Sequence, residues 1–188
     1  MKKLVYFKLL GGVIAGVGFM VRDKVSSQEI AAKSSDALAA LRDRTLRTND
    51  PQKVVAAIDE VTAPFRARPV TSTEPIPPEA LSALVDLLDF ERPNAKENIE
   101  FDLTSGTKMY PVMRSLIFMR NPVLPALVGV IENEDSQSVK SQNALRVVKR
   151  ILENDNTKTF KFLQVQAGNA RSEVGKERLL IAANSLLK

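Results

Sequence analysis

Apolar residues recur at helical spacing along most of the chain, and the stretch after Asp50 shows the pattern clearly. Asp50-Pro51 joins a residue type preferred as N-cap to one preferred at the first helical position. The apolar residues that follow are Val54, Val55, Ile58 and Val61. Because they lie at i, i+1, i+4 and i+7, they share one face of a helix. The pattern therefore predicts an amphipathic helix that begins at Pro51.

The same spacing predicts helices over most of the remaining chain. The first three are expected at residues 26–49, as one helix or two short ones, then from Glu79 to Phe90 and from Tyr110 to Arg120. Another helix is expected to start at Leu124, and the next one to follow a cap at Asp135 or Ser136. The last two are expected around Phe160, Phe162, Leu163 and Val165, and from Ser172. Prolines within residues 68–78 predict an exposed, extended loop. Alternation of apolar and acidic residues over 99–103 predicts a short strand, closed by a turn at Ser105-Gly106.

The interruption at Arg120-Asn121-Pro122 separates two of these helices. Proline pushes the residue before it out of the helical region, so the first helix is predicted to end here and not to continue as one bent helix. The next apolar run starts at Leu124. So short a gap leaves room only for an antiparallel or steeply crossed pair of helices.

Residues 123–128 read V-L-P-A-L-V, directly after the turn that contains Pro122. Here the chain resembles the HEAT-like family of α-helical repeats, with the best match over residues 110–170. The resemblance implies an all-α fold, a short α-solenoid of antiparallel helix pairs, and a surface that binds a protein or peptide. The interval from Tyr110 to Gln142 is shorter than the roughly 40–47 residues of a standard unit, so an irregular helical bundle is the alternative.

The first 25 residues differ in composition from the rest of the chain. A basic start is followed by an apolar run from Leu9 to Val21, which has the length of a signal-peptide core and is short for a membrane span of about 20 residues. We predict a signal peptide or membrane anchor at residues 1–25, with possible membrane association through residues 4–21. A buried N-terminal helix of a cytosolic protein is the alternative. Residues 26–188 are predicted to form a single helical-repeat domain.

Composition excludes several kinds of chemistry. The chain has no histidine and no cysteine, which rules out Ser-His-Asp and Cys-His catalysis, histidine or thiolate metal sites, and disulfides. Carboxylate, lysine, tyrosine and Ser-Lys chemistry remain. Residues 1–24 carry five basic side chains against Asp23, whereas the other residues hold 22 basic and 21 acidic ones. Because nucleic-acid binding needs clustered positive charge on the folded body, we predict no nucleic-acid partner.

Four groups of residues are candidate sites. Arg146, Lys149 and Arg150 share one predicted helix face, which either contacts an acidic partner or anionic lipid headgroups or is simply solvated. Two clusters of acidic residues lack the arrangement of a catalytic pair or a calcium loop, and they are interpreted as capping and solubilising residues. The first cluster is Glu97, Glu100 and Asp102, and the second is Glu132, Glu134 and Asp135. Met109, Met113 and Met119 fit core packing better than a binding groove.

We therefore predict a non-catalytic, helical-repeat scaffold for a protein or peptide partner, with no catalytic residue, cofactor or metal. The body is expected to be exported, to the periplasm or the extracellular space, or to be anchored in a membrane and to lie outside the cytoplasm. Two alternatives stay open: a small hydrolase-type enzyme that uses carboxylate or lysine chemistry, and a cytosolic repeat protein.

The intact mass of the natively expressed chain, measured separately in soluble and membrane fractions, tests the interpretation of residues 1–25. We expect either a soluble species shortened by roughly the first 15–27 residues, or a full-length species held in the membrane. A full-length soluble species would contradict both forms of the prediction and would favour the cytosolic alternative.

Overall fold

The computed structural model describes residues 27–66, 75–93 and 105–187, and within them all regular secondary structure is helical. The helices are α1 (Ser27–Arg42), α2 (Arg44–Asn49), α3 (Pro51–Arg66), α4 (Pro78–Val85), α5 (Ser105–Met109), α6 (Pro111–Met119), a 3-10 helix (Asn121–Val123), α7 (Leu124–Asn133), α8 (Val139–Ile151), α9 (Asn156–Gly168) and α10 (Glu173–Ser185). The prediction of an all-α protein is confirmed for these residues.

The longer helices contact one another in two rows. Helices α1, α4, α7 and α10 follow one another in the first row, and α3, α6, α8 and α9 in the second. Across the rows, α1 packs on α3, α4 on α6, α7 on α8, and α10 on α9. The chain crosses between the rows at each step until α8, and then α9 stays in the second row before α10 returns to the first.

The core lies between the two rows and is built from aliphatic side chains. Leu84, Leu116, Leu127, Leu163 and Leu179, from five different helices, are all 0% exposed. Each such leucine stabilises the fold by about 1.5–3 kcal/mol relative to an exposed position. Because the chain has no tryptophan and only 5% aromatic residues, small and branched aliphatic side chains fill the space, and helices can pack closely.

The corner between α6 and α7 is steep, which is one of the two arrangements that the short gap allows. The axes of Pro111–Met119 and Asn121–Asn133 differ by 112°. Arg120 sits at the corner with φ 61° and ψ −144°, and its backbone N–H bonds back to the carbonyls of Leu116 and Ile117. Such dihedrals are ordinary for glycine and strained for any residue with a Cβ. The corner therefore stores backbone strain at Arg120.

Helix α4 ends earlier than the sequence pattern predicts. The apolar spacing favours a helix to Phe90, but α4 ends at Val85, and tighter turns follow it. Beyond that point tertiary bonds replace helical ones, because the Leu88 carbonyl accepts from Asn143 Nδ2 at 2.7 Å and the Arg92 N–H donates to the Met109 carbonyl at 2.7 Å. The prediction of the helix end was wrong because these partners are far away in sequence.

Two further predictions need correction. Ser138, and not Asp135 or Ser136, caps α8 by accepting from the Ser141 N–H at 3.1 Å, whereas Asp135 forms a local turn with the Gln137 N–H. Residues 105–106, predicted as a turn, begin α5. The helix predicted around residues 160–165 is present as α9, although Val165 itself is 62% exposed. The predicted strand at 99–103 and residues 68–74 of the predicted loop lie outside the described residues.

Across the described ranges, no single helix has both the length and the apolar composition needed to cross a membrane. The segments Pro111–Met119 and Asn121–Asn133 meet that requirement only when they are taken together, across the bend between them. The apolar run from Leu9 to Val21 lies outside the described residues. The interpretation of residues 1–25 as a signal peptide or anchor therefore stays a prediction.

Replacing Arg120 with glycine is expected to raise the thermal unfolding temperature. Positive-φ strain of this kind destabilises the folded state by about 1–3 kcal/mol. Glycine stabilises the unfolded state by only roughly 0.5–1 kcal/mol, because it raises the conformational entropy of the unfolded chain. Arg120→Ala is the matched control, because it removes the same side chain but keeps the Cβ. We expect Arg120→Gly to be more stable than Arg120→Ala by about 1 kcal/mol, and the reverse order would show that the corner is unstrained.

Candidate functional site

A shallow cleft of about 230 Å³ lies between α7 and the junction of α9 with α10. One wall is the exposed side of α7, and the other is the end of α9 and the turn that follows it. The lining residues are Pro125, Val128, Gly129, Glu132, Asn133, Gln166, Asn169 and Arg171. Residues from three elements therefore meet at a site that no single sequence motif marks.

Gly129 keeps the wall formed by α7 open. A Cβ built on Gly129 has no heavy atom within 4 Å, so the space above its backbone is empty. The Gly129 carbonyl accepts a hydrogen bond from Asn133 Nδ2 at 2.6 Å, which holds the Asn133 amide against the helix. A glycine inside a helix lowers helix propensity by about 1 kcal/mol relative to alanine. Here the glycine leaves room for a group that lies directly against the backbone of α7.

Glu132 joins the two walls. Its Oε1 atom accepts a hydrogen bond of 2.7 Å from the backbone N–H of Arg171, in the turn between α9 and α10. This contact requires a glycine at position 175, because a Cβ there would lie 2.3 Å from Glu132 Cγ and 2.9 Å from Oε1. The close approach of α10 to Glu132 thus depends on a missing side chain.

Arg178 fixes the end of α7 from the side of α10. Its Nη1 atom donates to the carbonyl of Glu132 at 3.2 Å and to that of Asn133 at 2.6 Å. These are two of the last carbonyls of α7, which have no partner within the helix. A cation at a helix C-terminus is also favoured by the helix dipole. Arg178 therefore sets the position of the wall that carries Gly129 and Asn133.

The open chemistry of the cleft is mostly that of carboxamides. The side chains of Gln166 and Asn169 make no hydrogen bond within the described part of the chain, whereas one carboxylate oxygen of Glu132 is already occupied. Each carboxamide offers both an N–H donor and a C=O acceptor, as a peptide group does. Pro125 and Val128 add an apolar patch beside them. This combination suits a segment of polypeptide backbone with one small apolar side chain.

A second polar cluster connects α8 to the turn that follows α4. Asn143 is 0% exposed; its Nδ2 donates to the Leu88 carbonyl, and its Oδ1 accepts from Arg146 Nη1 at 3.0 Å. Tyr110 donates its hydroxyl hydrogen to Glu91 Oε1 at 3.1 Å. Burial, together with the nearby Glu91 carboxylate, raises the pKa of Tyr110. The hydrogen bonds tie the turn after α4 to α6 and α8.

The structure separates the residues that the sequence singled out. Arg146, Lys149 and Arg150 are exposed or half-buried on α8, away from the cleft lining. Glu132, interpreted as a solubilising residue, lies in the cleft and bridges its walls. Glu134 lies 3.7 Å from Lys140 Nζ, and Asp135 caps a turn, as that interpretation expected.

The remaining candidates do not contribute to the cleft. Met113 and Met119 are buried in the core, which confirms core packing for both, and Met109 is partly buried against it. Glu97, Glu100 and Asp102 lie outside the described residues. Within the described ranges, no group of three or more carboxylates lies close enough together to hold a metal ion.

Sequence reasoning missed Gly129, Gln166, Asn169 and Arg171. The only local signal was the presence of glycine inside apolar helical patterns, at positions 129 and 175, which is typical of a packing or functional constraint. The carboxamides carry no such signal, since glutamine and asparagine are ordinary on exposed helix surfaces.

No protein-family model, no curated protein and no solved structure gives a significant match to this chain.

Gly175→Ala is expected to destabilise the protein by about 1–2 kcal/mol, because the added methyl group must displace Glu132 and break its bond to the Arg171 N–H. Gly168→Ala is the matched control. It lies at the end of α9, where a Cβ meets nothing within 4 Å, so it should be neutral or slightly stabilising. The measurement is urea unfolding of both variants.

A double-mutant cycle shows whether the cost arises at Glu132. In a Glu132→Ala background the methyl group added at position 175 has space, so Gly175→Ala should then cost little, with a coupling energy of about 1 kcal/mol. Additive effects would contradict the proposed contact between Gly175 and Glu132.

Proposed function

We propose that this chain is a non-catalytic helical-repeat scaffold that binds an extended segment of a protein partner in the cleft between α7 and the α9–α10 turn. The observation that carries the proposal is the pair of carboxamides without a hydrogen bond in the described chain, Gln166 and Asn169, which line the same cleft as the open backbone at Gly129. Side-chain amides that face an open helix surface suit the backbone of an extended peptide, which needs a donor and an acceptor at each residue.

The size of the cleft supports a peptide over a small metabolite. Its volume of about 230 Å³ is below the roughly 300–1,000 Å³ of typical small-molecule pockets, and it is shallow. A peptide can fill such a cleft with one or two residues and make its other contacts along neighbouring helices. An enzyme based on carboxylate chemistry needs a second acid or a lysine opposite Glu132, and the lining residues contain neither.

The arrangement of the helices supports a short α-solenoid of antiparallel pairs. Contacts along each row, and between the rows at each step, are those expected of stacked helix pairs that bury a continuous core. The last step departs from a regular repeat, because α8 and α9 are neighbours within one row. We interpret α9 and α10 as an irregular pair that forms the cleft with α7 because α10 returns to the first row.

The composition of the N-terminal segment supports a location of the scaffold outside the cytoplasm. A basic start and an apolar run from Leu9 to Val21 support export, or tethering with the body outside the cytoplasm. The partner would then be a protein or peptide on the same side of the membrane.

Selection from a random peptide library displayed on phage, against the full-length protein in detergent, tests the proposal. We expect recovered peptides to bind at least about tenfold more weakly to a Gln166→Ala/Asn169→Ala variant, since two hydrogen bonds at about 1 kcal/mol each are lost. The matched control is Gln164→Ala/Asn184→Ala, which removes an exposed amide from each of α9 and α10 outside the cleft.

Gly129→Leu provides an independent variant, because its side chain occupies the open space of the cleft without removing any hydrogen bond. It should abolish binding of the same peptides. Peptides that bind all four proteins equally would place the interaction elsewhere and contradict the proposal.

A further inference from the structure

Charge is segregated among the helices in a way that the nearly neutral total hides. The sequences of α6, α8 and α9 contain the basic residues Arg114, Lys140, Arg146, Lys149, Arg150, Lys158 and Lys161 and not one aspartate or glutamate. In contrast, α1 and α3 each carry equal numbers of acidic and basic side chains, and α4, α7 and α10 together carry more acidic than basic ones. Positive charge therefore collects on three helices that are neighbours in one row.

Most of this charge is not neutralised by ion pairs. Lys140 is turned toward Asp86 and Glu134, and Lys158 pairs with Glu153 at 3.1 Å. The other five form no ion pair with a carboxylate of the described residues: Arg114, Arg146, Lys149, Arg150 and Lys161. Four of the five are exposed, and Lys149 is half-buried.

Each of the three helices also exposes one large apolar side chain. Phe118 on α6 is 39% exposed, Val139 on α8 is 44% exposed, and Val165 on α9 is 62% exposed. On α6 the guanidinium of Arg114 lies over the ring of Phe118, 5.6 Å from its centroid. On α9, Val165 lies one helical turn after Lys161, so the two share one side of the helix. An exposed apolar side chain thus lies beside an unpaired cation on α6 and on α9.

We propose that the outer side of α6, α8 and α9 docks on an anionic lipid bilayer surface. We define this basic face by Arg114, Phe118, Arg146, Arg150, Lys161 and Val165. Charge complementarity identifies the occupant: each basic side chain near an anionic bilayer contributes about 1 kcal/mol, and apolar side chains add to this by entering the headgroup region. An acidic protein or a nucleic acid would satisfy the charges, but neither explains the exposed apolar side chains of Phe118 and Val165 beside the cations of α6 and α9.

The face also fits the rest of the chain. An apolar N-terminal anchor holds a protein at a membrane by itself, but it does not determine which side of the folded body lies against the lipid surface. If residues 1–25 are retained, the apolar run from Leu9 to Val21 keeps the body close to a bilayer, and the basic face would then orient the body on that surface. The proposal does not depend on the peptide cleft, which is lined by other residues of α7, α9 and the turn before α10.

A fluorescent label on the face tests the docking separately from the N-terminal segment. Because the chain has no cysteine, Gln164→Cys places a single label on α9 next to Val165, and Asn184→Cys places one on α10 as the matched control. Each full-length protein is mixed with vesicles that contain a nitroxide-labelled lipid, either of phosphatidylcholine alone or with phosphatidylglycerol added. We expect strong quenching of the label at position 164 only on the anionic vesicles, and little quenching at position 184.

Charge variants show which residues are responsible. Arg114→Gln/Arg150→Gln/Lys161→Gln removes one unpaired cation from each helix and should weaken docking by on the order of 100-fold, since each cation contributes about fivefold. Arg42→Gln/Arg44→Gln/Lys53→Gln removes the same total charge from exposed positions of α1, α2 and α3 and should leave quenching nearly unchanged. High salt should abolish the signal.

Val165→Ser should weaken docking several-fold, whereas Val174→Ser on α10, which is 57% exposed in the parent chain, should not.

Two results would overturn the proposal. One is equal quenching by anionic vesicles of the triple variants of the face and of the control. The other is a face triple variant that docks on vesicles as well as the parent protein does but has lost a salt-dependent binding to duplex DNA that the parent protein shows. That result would reassign the face to a nucleic acid. Thermal unfolding of each variant verifies that the fold is intact.

Discussion

The fold depends on two contacts that each of the longer helices makes at once. Its apolar side chains pack against a partner helix in the other row and against a neighbouring helix in its own row. Val54, Leu84, Leu116, Leu127 and Val147 are 0% exposed for this reason. The chain has no disulfide to help it and few aromatic rings. Dense packing of aliphatic side chains must then outweigh the conformational entropy of a chain of this length. Only the sides that face away from both contacts are free to carry charge and function.

A few buried polar contacts determine how the helices are placed against one another. The hydroxyls of Thr62 and Ser115, on α3 and α6, lie 2.8 Å apart, and both residues are buried. Asn143 ties α8 to the turn after α4. Aliphatic packing tolerates small shifts between helices, whereas an unpaired buried polar group costs about 1–3 kcal/mol. These contacts therefore disfavour shifted arrangements that would bury a similar apolar area.

The two candidate surfaces arise from different physical causes. The cleft exists because α9 stays in the second row and α10 returns to α7, where Arg178 and Glu132 hold it. The basic face exists because α6, α8 and α9 lack acidic residues on their solvent side. One surface suits a polypeptide backbone and the other an anionic lipid surface, and they share no lining residue. A scaffold with both could hold a partner next to a membrane.

The sequence by itself determined the helical class, the start of α3 at Asp50-Pro51 and the break between helices before Leu124, because periodicity, proline and N-cap preferences act over a few residues. It did not determine the end of α4, the cap of α8 or the residues of the cleft. Those depend on partners many residues away, such as Asn143 for the Leu88 carbonyl and the Arg171 N–H for Glu132. A sum of charge over the chain likewise ignores which helices become neighbours, and only the tertiary contacts bring the basic helices α6, α8 and α9 together.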